Sequence, residues 1–167
     1  MPREGLVVAS GKLQHEIGKR QPFASAEEEV MLSLLRTSDR LQIEFTRLFR
    51  QHELTSSQYN VLRILRGEGK PMPILEIAQR MVTVVPGITG LVDRLEQAGL
   101  VRRERCEEDR RVIFVVITQE GLGRLARLDD PVRVLHRRLL GRVTPAELKA
   151  LIQLLEKVRA SASEPVA

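Results

Sequence analysis

The sequence has no tryptophan, one tyrosine (Tyr59) and only 3% aromatic residues. Single-stranded bases are gripped by stacking on aromatic side chains, so this composition disfavours a binder of single-stranded nucleic acid. The one cysteine, Cys106, excludes an intrachain disulfide framework. A chain so poor in cysteine suits a reducing compartment and is expected to be cytoplasmic. No apolar run approaches the ~20 residues of a membrane-spanning helix. The N-terminus lacks the charged-then-apolar order of a signal peptide, so no membrane association is expected. The histidines His15, His52 and His136 fall in separate segments. Together with Cys106 they make no nucleophile–base motif and no clustered set of metal ligands. Neither catalytic residues, nor a metal, nor a cofactor is expected, and the chain does not read as an enzyme.

What is present is an ordinary soluble composition: 167 residues, 43% hydrophobic and 29% charged. That length supports one core domain. A formal net charge of +5 and a sequence pI near 10.0 suit a polyanionic partner without specifying one.

Capping signals divide the chain into helices. Met1 to Ser10 reads as a loose tail, and Gly11 to Lys19 as a short helix with Leu13 and Ile17 four apart. Ser25-Ala-Glu-Glu places Glu28 three residues after Ser25, a capping box. A long helix should follow to about His52, with Met31, Leu34, Leu35, Leu41, Phe45, Leu48 and Phe49 on its apolar stripe. Thr55-Ser-Ser-Gln repeats the device with Gln58, opening a helix that stops at Gly67 or Gly69. Pro73 suits a first helical position, before a short helix carrying Ile74, Leu75, Ile77, Ala78 and Met81. A three-to-four-residue turn around Thr83 should lead into another helix from about Val85. Two short helices with a tight joint are a helix-turn-helix.

The stretch Val84 to Ile117 is the most informative. Ile88, Leu91, Val92 and Leu95 share a helix face, and Gly99 stands where a left-handed C-terminal residue costs glycine least. Val112 to Ile117 is an unbroken β-branched and aromatic run, which reads as a strand. Leu100 to Arg105 can pair back on it across the charged segment Cys106 to Arg110. A helix followed by an arginine-tipped hairpin is the layout of a winged helix. Such a helix lies in a DNA major groove while the hairpin reaches the neighbouring minor groove.

Beyond the strand, Thr118 can cap a helix with Glu120 in its first turn. Leu122, Leu125, Leu128, Val132, Leu135 and Leu139 mark its stripe, and Pro131 should kink or split it. Thr144-Pro-Ala-Glu opens the last helix, with Leu148, Leu151, Ile152, Leu155 and Val158 apolar. The leucine-rich stripes outside the centre are too wide for that centre to cover, and they are expected to pack on a second copy of the chain.

Taken in order, Leu54 to Tyr59, Ile88 to Glu96, Gly99 to Val101, Arg103, Asp109 to Arg111, the apolar strand and Ile117 to Gly121 resemble the MarR family of winged-helix transcription regulators. The resemblance runs from roughly Glu28 to Arg159. It implies a mainly α fold with a small β-hairpin wing: a winged helix-turn-helix flanked by N- and C-terminal dimerisation helices. Residues 1–24 would be an N-terminal extension and 25–160 the family domain. Within it, about 55–118 would form the DNA-binding lobe, and about 25–53 and 119–160 the dimerisation helices. Residues 161–167 would be a tail. The implied activity is transcription regulation, usually repression, by a homodimer on a pseudo-palindromic operator in double-stranded DNA. A small anionic or phenolic effector would release the DNA.

By family position, Pro86, Gly87, Thr89 and Gly90 fall at the exposed start of the recognition helix. Thr89 can bond a base edge or a phosphate, while Pro86 and Gly87 allow close backbone approach to phosphate. Gly90 stands where relatives often carry a larger polar residue, and Val84 and Val85 replace a polar start. Arg94 reaches phosphate or makes a surface salt bridge; Asp93, its neighbour, either pairs with it or points away. Arg111 holds the position of the arginine that enters the minor groove, with Arg110 beside it. Asp109 would brace a wing arginine, Arg103 being a plausible partner. Arg103 and Arg105 are further candidates for phosphate contact.

Charge counting opposes this. From Asp93 to Arg111 there are six arginines and six acids, so the stretch is neutral. Two alternatives remain at this stage. One is a redox-sensing regulator acting through Cys106, against which stand its acidic neighbours Glu107 and Glu108. The other is a dimeric interaction protein that binds no DNA.

Overall fold

The structure, a computed structural model, describes residues 12–105 and 112–163. The chain falls into two compact units that divide between Ser56 and Ser57.

The first unit holds α1 (Lys12–Glu16) and α2 (Ala26–Gln51). Ser25 caps α2 by accepting from the Glu28 N–H at 3.2 Å. The Glu28 carboxylate closes the box one residue further out than expected, on the Ala24 N–H at 2.6 Å. Glu27, Glu28 and Glu29 crowd the first turn, where the helix dipole favours anions. Arg40 of α2 pairs with Glu16 at 3.1 Å, tying α1 to the long helix.

The second unit contains α3 (Ser56–Glu68) from its second residue on, β1 (Met72–Pro73), α4 (Ile74–Gln79) and α5 (Ile88–Gln97). They are followed by β2 (Val101–Arg105), β3 (Ile113–Ile117), α6 (Gln119–Leu140) and α7 (Pro145–Ser163). The strands form one antiparallel sheet in the order β1-β3-β2. The register sets Arg103 opposite Val115 and Val101 opposite Ile117. Val61, Leu62 and Leu65 of α3, Ile77 of α4, Leu91, Val92 and Leu95 of α5, Val115 of β3, and Leu125 and Leu128 of α6 are all buried. In α3, α5 and α6 the buried residues recur at steps of three and four, the spacing that keeps side chains on one helix face.

The sheet and the loop before α5 depart from the sequence reading. β1 was not anticipated: Met72 pairs with Val115 and Pro73 with Phe114. Pro73 is therefore the N-cap of α4, with extended backbone, and the helix starts at Ile74. The connection from α4 to α5 is also longer than a tight turn, because α5 starts at Ile88 and not near Val85. Pro86 disfavours helix at the preceding Val85. Gly87 then takes a left-handed conformation, φ +74°, that an L side chain rarely adopts.

α6 is continuous, so Pro131 does not split it. The carbonyl that proline leaves unbonded belongs to exposed Arg127, where water can satisfy it, while buried Leu128 and Val132 hold the helix on both sides. α7 extends to Ser163, into the segment expected to be tail. Its capping box forms as expected: Thr144 N–H to Glu147 Oε2 at 2.8 Å, and Glu147 N–H to Thr144 Oγ1 at 3.3 Å. The Thr144 backbone N–H, followed by its hydroxyl, lowers the Glu147 carboxyl pKa.

α3 and α6 are joined by Arg66, whose guanidinium donates to both Asp129 oxygens at 3.0 and 2.8 Å. Gly121, in the first turn of α6, sits against the end of α5's connection to β2. A Cβ there would run into the Leu100 carbonyl oxygen and come within 2.8 Å of Ile117 Cγ1.

Candidate nucleic-acid interface

α5 is the element the interface is built on. Leu91, Val92 and Leu95 are buried, which leaves Thr89, Arg94 and Gln97 exposed on the other side. The helix opens on Gly87 with no side-chain cap bond. Pro86 and Gly87 thus precede the helix, and only Thr89 and Gly90 lie within its first turn. Gly90 has open space above it apart from the Arg94 guanidinium, whose Nη1 is 4.0 Å from where a Cβ would stand. Arg94 therefore folds back towards the start of the helix. Val82 and Val84, in the loop ahead of α5, are 80% and 96% exposed.

The end of α5 fixes the hairpin. Gly99 donates to the Glu96 carbonyl at 2.9 Å and Leu100 to the Leu95 carbonyl at 2.9 Å, the paired bonds of a Schellman motif. The chain then enters β2 without slack. Thr118 closes the other side: its hydroxyl donates to the Gly99 carbonyl at 2.7 Å and accepts from the Gly121 N–H at 3.1 Å. The hairpin, α5 and α6 are thus linked within a few residues of one another.

Arg103, on β2, is the centre of the polar network. Its Nη1 donates to Glu96 Oε2 at 2.5 Å and its Nη2 to Asp93 Oδ1 at 2.5 Å, with a longer contact to the Thr89 carbonyl at 3.4 Å. Its backbone N–H donates to Glu96 Oε1 at 2.8 Å. Asp93 and Glu96 are three residues apart, hence on one helix face, and the guanidinium fork spans them. The Arg103 side chain is 21% exposed. Burial works against its charge, but the bonds to Glu96 and Asp93 outweigh this and raise its pKa.

Asp93 therefore does not pair with its neighbour Arg94. Arg102 bonds Glu104 on the same strand. Arg94 and Arg105 are exposed and have no acidic partner among the described residues. Asp109, Arg110, Arg111 and Cys106 lie outside the described residues. The clamp of Arg103 on two acids of α5 was not anticipated. Its only trace in the sequence is the three-residue spacing of Asp93 and Glu96 ahead of a basic strand.

An open groove of about 520 Å³ runs along α2, lined by Asp39, Gln42, Ile43, Thr46, Arg47 and Arg50. Among the described residues no group of three or more His, Cys, Asp or Glu could hold a metal ion, and no helix is long and apolar enough to cross a membrane.

The sequence and the fold are similar to those of known proteins. Residues 54–113, which carry α3 to the start of β3, match the model of the MarR family. The chain is 27% identical over 130 residues to the homoprotocatechuate degradative operon repressor of Escherichia coli, covering 78% of this chain and 87% of that one. It is 32% identical over 125 residues to the HTH-type transcriptional repressor IacR of Pseudomonas putida, covering 75% and 74%. The crystal structure of a MarR transcription factor from Planctomyces limnophilus superposes with a TM-score of 0.63 at 44% identity, covering 80% of this chain and 98% of that one. These relatives are transcription regulators and not enzymes. The helix-turn-helix, the three-stranded sheet with its hairpin, and this set of relatives all lead to one assignment: the chain belongs to the MarR family of transcription regulators.

Proposed function

We propose that the chain is a homodimeric repressor that binds a pseudo-palindromic operator in double-stranded DNA. The observation that carries this is the Arg103 clamp. It locks β2 to α5 and takes up Asp93 and Glu96, so that among the described residues Arg94 and Arg105 have no acidic partner. α5 enters the major groove, with Thr89 and Arg94 towards base edges or phosphate, and Pro86, Gly87 and Gly90 letting the backbone approach the duplex. Arg105 takes a phosphate, and Arg110 and Arg111 reach the adjacent minor groove, braced by Asp109. Arg103 acts by positioning and not on phosphate, because its guanidinium is taken up by Glu96 and Asp93. Two relatives that share more than a quarter of their residues with it are named as repressors, which favours repression over activation.

Exposed apolar side chains support the dimer. Val30, Met31, Leu35 and Ile43 of α2 and Leu151, Ile152, Leu154 and Val158 of α7 are all exposed in the single chain. Such faces are normally covered, and a second copy would cover both. The pair would hold its α5 helices about one DNA turn apart, roughly 34 Å or a multiple of it. Release would follow binding of a small anionic or phenolic effector. The groove along α2 has the volume of a small-molecule site and carries Arg47 and Arg50.

The test is Arg111→Ala, titrated at moderate salt against a duplex that the wild-type protein enriches from a random-sequence pool. Tight binding should disappear while sedimentation still reports a dimer. Unchanged affinity refutes the wing assignment, and a wild-type monomer refutes the dimer. Addition of phenolic acids to the same titration tests the effector.

A further inference from the structure

We propose that Val84 reads a thymine methyl group in the major groove, making it a specificity-determining residue of the operator interface. The proposal rests on the DNA-binding reading above and adds to it the chemistry of one base contact. Val84 is 96% exposed, and it stands in the loop that delivers the chain to α5. One exposed valine is ordinary on any surface. Three features distinguish this one.

The first is stiffness. Val85, next in sequence, is half-buried, Pro86 has a fixed φ, and Gly87 is pinned by the bond from the Leu91 N–H to its carbonyl at 3.2 Å. A β-branched side chain has restricted χ1 freedom as well, so the two methyl groups are held in place before any partner arrives. The second is continuity: Val84 lies two residues before Pro86 and four before Ile88, where α5 begins. The third is the poverty of hydrogen-bonding groups around it. From Thr83 to Gly90 only Thr83 and Thr89 carry hydrogen-bonding side chains, with the Arg94 guanidinium folded back towards Gly90. A surface of that kind cannot discriminate bases mainly through donors and acceptors. The major groove offers one apolar mark, the C5-methyl of thymine, and aliphatic side chains are its natural partners. Valine cannot bond phosphate, so contact with the backbone does not explain the exposure.

The experiment uses the full chain and the duplex it enriches from a random-sequence pool. Each thymine is replaced in turn by deoxyuridine, which removes the methyl and keeps the base pair. We expect one thymine in each half-site at which the replacement weakens binding about three- to fourfold, the worth of one buried methyl group. In Val84→Ala that penalty should vanish, with equal affinity for both duplexes, while Val82→Ala should retain it. Two results would overturn the proposal: no thymine sensitive to loss of its methyl, or a sensitivity that survives in Val84→Ala. Failure of the wild-type protein to enrich any duplex would instead overturn the operator reading, and this inference with it.

Discussion

Replacing Arg103 separates two ways in which a wing arginine can matter. The guanidinium joins two carboxylates on α5 that are 48% and 38% exposed, so neither bond has the strength of a fully buried pair. Exposed pairs contribute below ~1 kcal/mol and hydrogen bonds to charged groups about 1.5–3 kcal/mol. Solvent access to Asp93 and Glu96 puts each bond near the low side, about 1 kcal/mol, and the clamp near about 2 kcal/mol. Arg103→Ala should then lower the unfolding midpoint by about 4–8 °C in a thermal melt. DNA binding must rebuild the same alignment without the clamp, so affinity should fall by up to about thirtyfold. Arg103→Lys is the decisive variant. Lysine keeps the charge but cannot span two carboxylates, so it should bind DNA nearly as weakly as alanine. The slope of affinity against salt should be the same in all three proteins, because no phosphate contact has been removed. Affinity retained by Arg103→Lys, with a shallower salt slope in Arg103→Ala, would refute the clamp and make Arg103 a direct phosphate ligand. A double-mutant cycle with Glu96→Gln adds an independent check: effects that merely sum would show that the two residues do not act together.

Two further outcomes follow from the fold. Gly121→Ala should destabilise the chain by about 1–3 kcal/mol in urea unfolding, because the added methyl meets the rigid Leu100 carbonyl where no side chain can yield. The Glu68 carboxyl, bonded to Arg80 at 2.6 Å and then to Lys70, has its pKa lowered. Its folded value lies below the unfolded one, so its contribution is complete above the ordinary carboxylate range and is lost as pH falls through the lowered value. Glu68→Gln should therefore differ from wild type in urea unfolding at neutral pH and converge with it in acid.

The helices were legible in the sequence because their ends carry local chemistry. Ser25, Thr118 and Thr144 each cap with their own side chain, and Gly99 ends α5 in the conformation its position implied. What escaped reading depended on partners distant in sequence. Met72–Pro73 has no strand periodicity and is a strand only because β3 lies beside it. Pro131 carries a local signal for a break, but burial of Leu128 and Val132 overrides it. The start of α5 was misplaced because Val85 suits either a helix or a loop, and the conformations of Pro86 and Gly87 decide between them. At the candidate interface, the positions of Thr89, Gly90 and Arg94 on α5 could be read from helical spacing. The role of Arg103 could not, since it depends on a strand register that turns this side chain, and not Arg102 or Glu104, onto α5.

That register also answers the objection from charge for three of the six acids. Counted along the chain, residues 93–111 are neutral, which argues against a polyanion as partner. Counted by contact, the charges are not equivalent. Asp93 and Glu96 are bound by Arg103, and Glu104 by Arg102, so three acids on described elements are neutralised within the hairpin and its helix. The same pairs occupy two arginines, and among the described residues Arg94 and Arg105 are left without an acidic partner. An approaching phosphate is affected less by the sum than by the charges that remain unpaired and near it, because pairs at close contact cancel over distances shorter than the Debye length of about 8 Å. Acids in a wing therefore need not oppose DNA binding. Placed on α5, Asp93 and Glu96 are the means by which one arginine is held rigid between the helix and the strand.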